Sequence, residues 1–337
     1  MLYDDNPLLT FLPDGRRLTV EPGQRGLNLL ADNQLLLEVA PEGGAWQVLT
    51  PADRPEWGLG VWALASWAFA KVPGLESLAL RLSAGHRPER LVRLGLLSRV
   101  PGSTALHIER GAFWQLGEPW LKACSPSVYP QHMRMSQGRC HPLRPPKPEG
   151  EVYRRFDARL GSWVSLRTLD IDRDLERFHR WQNHPRVLEF WQENGTHEQH
   201  QAYLLKLAAD PHTLTLIGCF DDQPFAYFEA YWAKEDRIAP FYPAGDYDRG
   251  IHMLVGEDRY RGPHRVASWL NALVHYLLLD DPRTQRVVAE PRADNARMIG
   301  HMQHHGFWNE KLFDFPHKRA ALMAISRERF FAQCSLC

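Results

Sequence analysis

The turn RYRGPH, Arg259 to His264, continued by Arg265, has the residue types of an anion site. Glycine at 262 lets backbone N–H groups approach a phosphate, and the guanidinium groups of Arg259, Arg261 and Arg265 supply charge. His252 lies in the strand-like run IHMLVG, and an imidazole titrates in the range that suits proton transfer near neutral pH. Asp294 follows the strand-like run QRVVAEP and offers a carboxylate that could orient that imidazole or hold a hydroxyl group. Tyr227, Glu229 and Tyr231 alternate along PFAYFEAYW, so they share one strand face. On that face Glu229 could meet an ammonium group and the tyrosines could shape a slot, or all three could serve packing and surface salt bridges. Arg249 and Arg292 are candidate partners for a carboxylate, and Trp191 and Trp232 are core residues or channel walls.

These residues need strands and helices to bring them together, and the second half of the chain supplies the signals. Ser162 to Leu169 alternates like a strand, and Asp172 is placed to cap a helix carrying Leu175 and Phe178. Thr196 and Gln199 fit a capping box at the start of a helix with Tyr203, Leu204 and Leu207. The runs Thr213 to Phe220 and Pro224 to Trp232, separated by Asp221, Asp222 and Gln223, read as a hairpin. A loop rich in Pro, Gly and Asp leads to the strand Ile251 to Gly256. Val266, Trp269, Leu270, Leu273, Val274 and Leu277 then recur at helical spacing. The strand Gln285 to Pro291 follows, then a helix from Asn295 to His305 that Gly306 ends, and an antiparallel pair near Phe313 and Ala321 to Ile325. The order is βααβββαβα plus that pair, an α+β class with a mixed α/β sheet.

Upstream, Arg16 to Val20 and Leu35 to Ala40 read as strands and Trp57 to Val72 has helical length, with no catalytic constellation. Four prolines and a glycine in His141 to Gly150 deny the backbone regular structure. The expected division is therefore a first domain at 1–140, a linker at 141–150 and a second domain at 151–337.

The 337 residues carry 40 basic and 40 acidic side chains. That balance removes the broad positive field of a nucleic-acid or anionic-membrane binder. The N-terminus MLYDDNPLL has acids where a signal peptide has bases, and no apolar run approaches the ~20 residues that span a bilayer. A soluble, cytoplasmic protein is expected, with Cys124, Cys140, Cys219, Cys334 and Cys337 as reduced thiols and Cys219 in a core strand. His301 and His305 stand four apart like a zinc pair, but no carboxylate or cysteine completes the set, so no metal is expected.

A strand ending in LVG, a basic glycine turn and a long amphipathic helix together resemble the GNAT superfamily. Longer strings narrow the resemblance. LIGCFDDQPFAYFEAYWAKEDRI, DRGIHMLVGEDRYRG, LLLDDPRTQRVVAEPRADN, DFPHKR, GAFWQL and RPPKPEGEVYRR are similar to the hydroxylysine acetyltransferases of aerobactin-type siderophore pathways and to related hydroxamate acyltransferases. The resemblance implies two tandem GNAT-like halves with the second active, and acetyl-CoA as acyl donor. It places the pantetheine arm along Met253, Leu254 and Val255 and the phosphates at Arg259, Arg261, Gly262, Pro263, His264 and Arg265, with Asn295 opening the last helix. His264 departs from the small residue the family carries there. His252 and Asp294 match the positions of the family's catalytic pair.

The implied reaction is N6-hydroxylysine acetylation to a hydroxamate by direct transfer, without a covalent enzyme intermediate. The implied partners are these small molecules, not nucleic acid or membrane, with contact to other enzymes of the pathway a further expectation. Succinyl-CoA as donor, an N-hydroxy diamine as acceptor, and a non-catalytic acyl-CoA-binding protein are the alternatives.

Overall fold

The computed structural model describes residues 8–123, 129–136, 138–333 and 336. Cys124, Cys334, Cys337 and most of the N-terminal MLYDDNPLL therefore lie outside the described residues, whereas Cys140 and Cys219 are free thiols. Contacts divide the chain into a unit that runs to Trp120 and takes in Phe156–Ser162, and a second unit formed by Leu121–Arg155 and Trp163–Cys334. The proline-rich stretch 141–150 falls within the second unit.

Each half contains an eight-stranded sheet, and the strand order is the same in both. In the first, Thr10–Phe11, Arg17–Pro22, Leu27–Ala31, Gln34–Glu42, Ala45–Val48 and Ser77–Arg81 lie in chain order, followed by Leu106–Glu109 and then the edge strand Ser98–Arg99. Ala45–Val48 and Ser77–Arg81 are parallel neighbours. The helix Trp57–Lys71 crosses between them and buries Val61, Trp62, Leu64 and Phe69.

The second sheet is built from β1 (Glu151–Asp157), β2 (Ser162–Thr168), β3 (Thr213–Phe220), β4 (Gln223–Trp232), β5 (Arg249–Val255), β6 (Arg286–Ala289), β7 (Trp308–Asp314) and β8 (Arg319–Ser326). Its order is β1-β2-β3-β4-β5-β6-β8-β7. Between β2 and β3 lie three helices, α1 (Ile171–Gln182), α2 (Pro185–Trp191) and α3 (His197–Ala209). Asp170, not Asp172, caps α1, accepting from the Asp172 and Arg173 N–H groups. Thr196 and Gln199 form the capping box of α3. The short α2, begun by Pro185, had no counterpart among the expected elements.

The β3–β4 turn places Asp221 and Asp222 at φ 47° and 62°, the left-handed region that aspartate tolerates in tight turns. α4 (Pro263–Asp280) carries the long apolar face and links β5 to β6, and α5 (Ala296–His304) precedes the β7–β8 pair.

Pairing between β5 and β6 is brief. Their parallel register covers Arg249↔Val287 and Gly250↔Val288 and then stops. On its other edge β5 stays paired with β4 as far as Val255↔Ala226. The two strands therefore splay after Gly250, leaving one edge of Ile251–Val255 without a strand partner.

Residues 233–248, between β4 and β5, are gripped by the segment that precedes β1. Arg144 donates to both Glu235 carboxylate oxygens (2.7 and 2.6 Å) and to the Asp246 carbonyl (2.7 Å), with its guanidinium 4.3 Å over the Trp232 ring. Arg139 donates to the backbone carbonyls of Glu235 (2.7 Å) and Asp236. Among the described residues no helix is long and apolar enough to cross a membrane.

Candidate active site

The splay opens into a cleft of about 580 Å³ lined by α2, α3, β4, β5, the turn before α4 and the segment after β6. Register arithmetic fixes what meets at its vertex. His252 stands two residues beyond the last paired position on β5, and Glu290 two beyond the last paired position on β6. Glu229 is the cross-strand partner of His252 on β4. Where the backbone ladder ends, these three side chains bridge the gap. His252 Nδ1 lies 2.7 Å from Glu229 Oε2, and Nε2 lies 2.6 Å from Glu290 Oε1.

Tyrosines complete the cluster. Tyr203 and Tyr227 both donate to Glu229 Oε1 (2.5 and 2.9 Å), and Tyr231 donates to Glu290 Oε2 (2.7 Å). Gly250 is required for this packing, because a Cβ there would fall 1.9 Å from the Tyr231 ring.

Both ring nitrogens of His252 face carboxylate oxygens, the arrangement of an imidazolium donating twice. Burial by itself would lower its pKa, but the charges and hydrogen bonds of Glu290 and Glu229 outweigh burial and raise it to about 10. Burial would likewise raise Glu290, yet the charge of His252 and a nearby Lys318 hold it at about 2, and His252 holds Glu229 low in the same way. The expected proton-accepting histidine is therefore already charged at neutral pH, and the basic atoms of the cluster are carboxylate oxygens. Two carboxylates and one imidazolium leave one net negative charge. The His252 side chain keeps 20% of its surface exposed to the cleft.

Asp294 does not join His252. Its carboxylate accepts from Arg292 Nε and Nη2 (3.0 and 2.6 Å) at an exposed position, and Glu290 stands where an acidic partner was expected. Arg292 lines the cleft with its guanidinium committed to Asp294. Arg249 is turned away from the cleft; it is buried against Asp280 (3.0 Å) and stacks over Trp232, itself a core residue, at 4.1 Å. Tyr227 is fully buried and acts on the cleft only through Glu229. Cys219 is a buried strand residue whose thiol burial pushes up to about 11.

Met253, Leu254 and Val255 line the cleft along the free edge of β5. Two carbonyls of that strand already have donors from α2: Trp191 Nε1 to Met253 (3.3 Å) and Arg186 to Val255 (2.9 Å). Trp191 also stands edge-on to His252, with ring centroids 6.3 Å apart.

Beyond Val255, Arg261 and Gly262 line the cleft at the start of α4. Gly262 adopts φ +126°, a conformation L side chains rarely take, and a Cβ there would sit 2.8 Å from the His264 ring. No side chain caps this 18-residue helix; Pro263 has no N–H and the Arg265 N–H already donates to the Gly262 carbonyl at 3.1 Å, which leaves the His264 N–H as the uncommitted backbone donor of the first three positions. Arg265 packs over Phe220 and Tyr260, with Nη1 buried and without a hydrogen-bond partner, while Arg259 lies over Tyr260. His264, Pro263, Arg259 and Arg265 are not in the cleft wall. Asn295 does line it and caps α5, accepting from the Met298 N–H at 3.1 Å. Among the described residues no group of three or more His, Cys, Asp or Glu side chains is placed to hold a metal ion.

Sequence reasoning missed Glu290 and Tyr203, both of which join the His252 cluster. Glu290 lay inside an expected strand next to a strand bearing His252, and that adjacency was its available signal.

Residues 170–315 match the acetyltransferase (GNAT) domain. The chain is 42% identical over 273 residues to the N(6)-hydroxylysine O-acetyltransferase of Escherichia coli, covering 80% of this chain and 84% of that one. A hydroxyornithine transacylase of Ajellomyces capsulatus is 38% identical over 312 residues, covering 80% of this chain and 71% of that one. Among solved structures, an uncharacterized protein from Bacillus halodurans aligns with TM-score 0.52 at 29% identity, covering 55% of this chain and 94% of that one.

Proposed function

This chain belongs to the GNAT acyltransferase family, and we propose that its second half transfers the acetyl group of acetyl-CoA to the side-chain nitrogen of N6-hydroxylysine, forming a hydroxamate for a siderophore of the aerobactin type. The observation that carries the proposal is the splay after Gly250, with the Glu229–His252–Glu290 cluster at its vertex and the uncapped N-terminus of α4 along the same strand. The similarity to the Escherichia coli hydroxylysine enzyme supports the choice of acceptor.

In this mechanism the pantetheine arm lies along Met253–Val255 and the phosphates meet Arg261, Gly262 and the first turn of α4. The hydroxylamine nitrogen attacks the thioester carbon, a C–N bond forms and the C–S bond breaks. The nitrogen's proton passes to the negatively charged cluster through a Glu290 oxygen and then to the departing sulfur. The donor is already activated, so no enzyme-bound acyl group is needed. Asp294 has no part in these steps. The proposal extends to a cytoplasmic location, where the donor is available, and to contact with neighbouring enzymes of the pathway, for which co-elution is the check.

The test is a matrix of acceptors (lysine, N6-hydroxylysine, N5-hydroxyornithine, N-hydroxycadaverine) and donors (acetyl-CoA, succinyl-CoA), scored by thiol release and by ferric-hydroxamate colour. Colour with hydroxylysine and acetyl-CoA is expected, since an O-acyl product does not chelate iron in this way. Turnover of lysine alone, or of succinyl-CoA alone, overturns the assignment, and no thiol release with any pair leaves a binding protein.

A further inference from the structure

At one side of the vertex the cleft wall carries positive charge that the transfer chemistry does not use. Arg237, His317 and Lys318 all line the cleft and gather around one buried ring, Phe315. The Arg237 guanidinium and the Lys318 ammonium each lie 5.5 Å from its centroid, and His317 stacks on it at 5.5 Å. Lys318 donates to the Glu290 backbone carbonyl at 2.7 Å. Arg237 is half exposed, and its nearest carboxylate oxygen is Glu290 Oε1 at 3.8 Å. That oxygen is already taken by His252 at 2.6 Å. An arginine held by an aromatic face keeps its N–H edges available for a bidentate anion.

This cluster is distinct from the expected phosphate end, which lies beyond Val255 at Arg261 and Gly262. Arg237 and His252 approach the same Glu290 oxygen, at 3.8 and 2.6 Å, so a carboxylate held at Arg237 would stand beside the vertex where transfer is proposed. Burial lowers the Lys318 pKa despite the charges of Glu290 and Asp236, and repulsion from Arg237 and Arg292 adds to the lowering. Asp236, one residue before Arg237, lines the same wall, with Oδ1 accepting from the Ile238 N–H at 3.0 Å and Oδ2 3.6 Å from His212 Nε2.

We propose that Arg237, supported by Lys318, receives the α-carboxylate of the acceptor, so that the site selects a free N-hydroxylated amino acid over the corresponding diamine. This rests on the acyl-transfer function proposed above and adds its specificity determinant. A carboxylate could also arrive on the donor, as the distal group of succinyl-CoA, and the experiment separates the two sources.

The full-length protein is assayed with N6-hydroxylysine and with N-hydroxycadaverine, which lacks only the carboxylate, each with acetyl-CoA and with succinyl-CoA. The wild type should prefer hydroxylysine by about ten-fold or more in kcat/KM, the scale of one charge-assisted hydrogen-bonded pair. Arg237→Gln should collapse that preference through KM, and Arg237→Lys should restore part of it. Equal use of both acceptors by the wild type overturns the proposal. So does an Arg237→Gln defect confined to succinyl-CoA, which assigns the cation to the donor. If no acceptor turns over, acyl transfer itself fails as the function, and calorimetric titration of the coenzyme A-loaded protein with L-lysine and cadaverine decides the subsite. Preference for lysine that Arg237→Gln abolishes then supports it, and equal binding overturns it.

Discussion

Among the described residues the two sheets share a strand order and a parallel junction whose strands are joined by a crossover helix, yet the Glu229–His252–Glu290 cluster stands at one junction and has no counterpart at the other. In the first half the parallel register covers Trp46↔Leu80 and Gln47↔Arg81 and then ends, as it does in the second. Two residues farther on stand Leu49 and Ser83, where the second half has His252 and Glu290. The Ser83 hydroxyl donates to the Val48 carbonyl at 2.7 Å and accepts from Gln47 Nε2 at 3.1 Å, so a side chain fills the edge that the second half leaves to a ligand. Glu38, at the position of Glu229, faces a leucine. The first half also lacks three helices between its second and third strands, and its fourth and fifth strands are joined through Gly43 and Gly44 rather than by residues 233–248. Topology alone thus makes a splay. Function follows from what stands two residues past the last backbone bond and from the walls added around it.

The largest expected effects break that difference at the vertex. His252→Gln keeps a hydrogen-bonding side chain but removes the charge between two carboxylates, and it should lower kcat by ~10²–10⁴. Glu290→Gln should fall in the same range while Asp294→Asn stays within about two-fold, because Asp294 is an exposed partner of Arg292. The reverse order in hydroxamate assays would return the acidic role to Asp294. Circular dichroism distinguishes lost chemistry from lost fold, and Leu49→Ala in the first half supplies a control with no effect on the coenzyme or acceptor KM.

The added wall gives the next effect. Arg144 and Glu235 are both nearly buried, with side-chain exposures of 3% and 6%. Arg144→Ala removes both short charge-assisted bonds to the carboxylate and leaves it His141 Nδ1 at 3.5 Å, which should cost ~3 kcal/mol of stability in denaturant titration. The double variant Arg144→Leu/Glu235→Leu should recover much of that loss. Gly262→Val should raise the acyl-CoA KM by about ten-fold or more with little change in kcat, since it strains the backbone and crowds His264 where phosphate must approach.

Much of the second sheet was legible because its signals are local. The periodicity from Val266 to Leu277, the Thr196–Gln199 box, the Asp221–Asp222 turn and Gly306 each report on neighbours a few residues away. The first half was less legible for a physical reason: Thr10–Phe11 and Ser98–Arg99 are two residues long, too short for alternation to show. The choice between Glu290 and Asp294 depended on the parallel register of β5 and β6, separated by a helix, and no local pattern encodes such a register. Arg237 sits in a Pro-, Gly- and Asp-rich loop, and only the grip of Arg139 and Arg144 shows that this loop is a fixed wall. Arg249 shows a further case, expected in the loop before the strand but found at the start of β5 with its side chain turned to Asp280.

The smallest effect is a pH dependence of stability that only the second vertex should show. His252 is raised in the fold to about 10 from an unfolded value of about 6.5. Its charge therefore contributes fully below the unfolded value, and the contribution is lost as pH rises through the folded one. Glu290 is depressed to about 2 from an ordinary value of about 4.3, so its contribution is present above that value and disappears as pH falls through the folded one. Both act together between roughly pH 4.5 and 6.5, the interval bounded by the two unfolded values. The difference in Tm between wild type and His252→Gln should be greatest there and shrink toward pH 10, whereas the Leu49→Ala difference should stay flat. A His252→Gln difference that instead grows with pH would mean that the folded protein holds a neutral imidazole, and the proton acceptor would then be His252 itself rather than the carboxylates beside it.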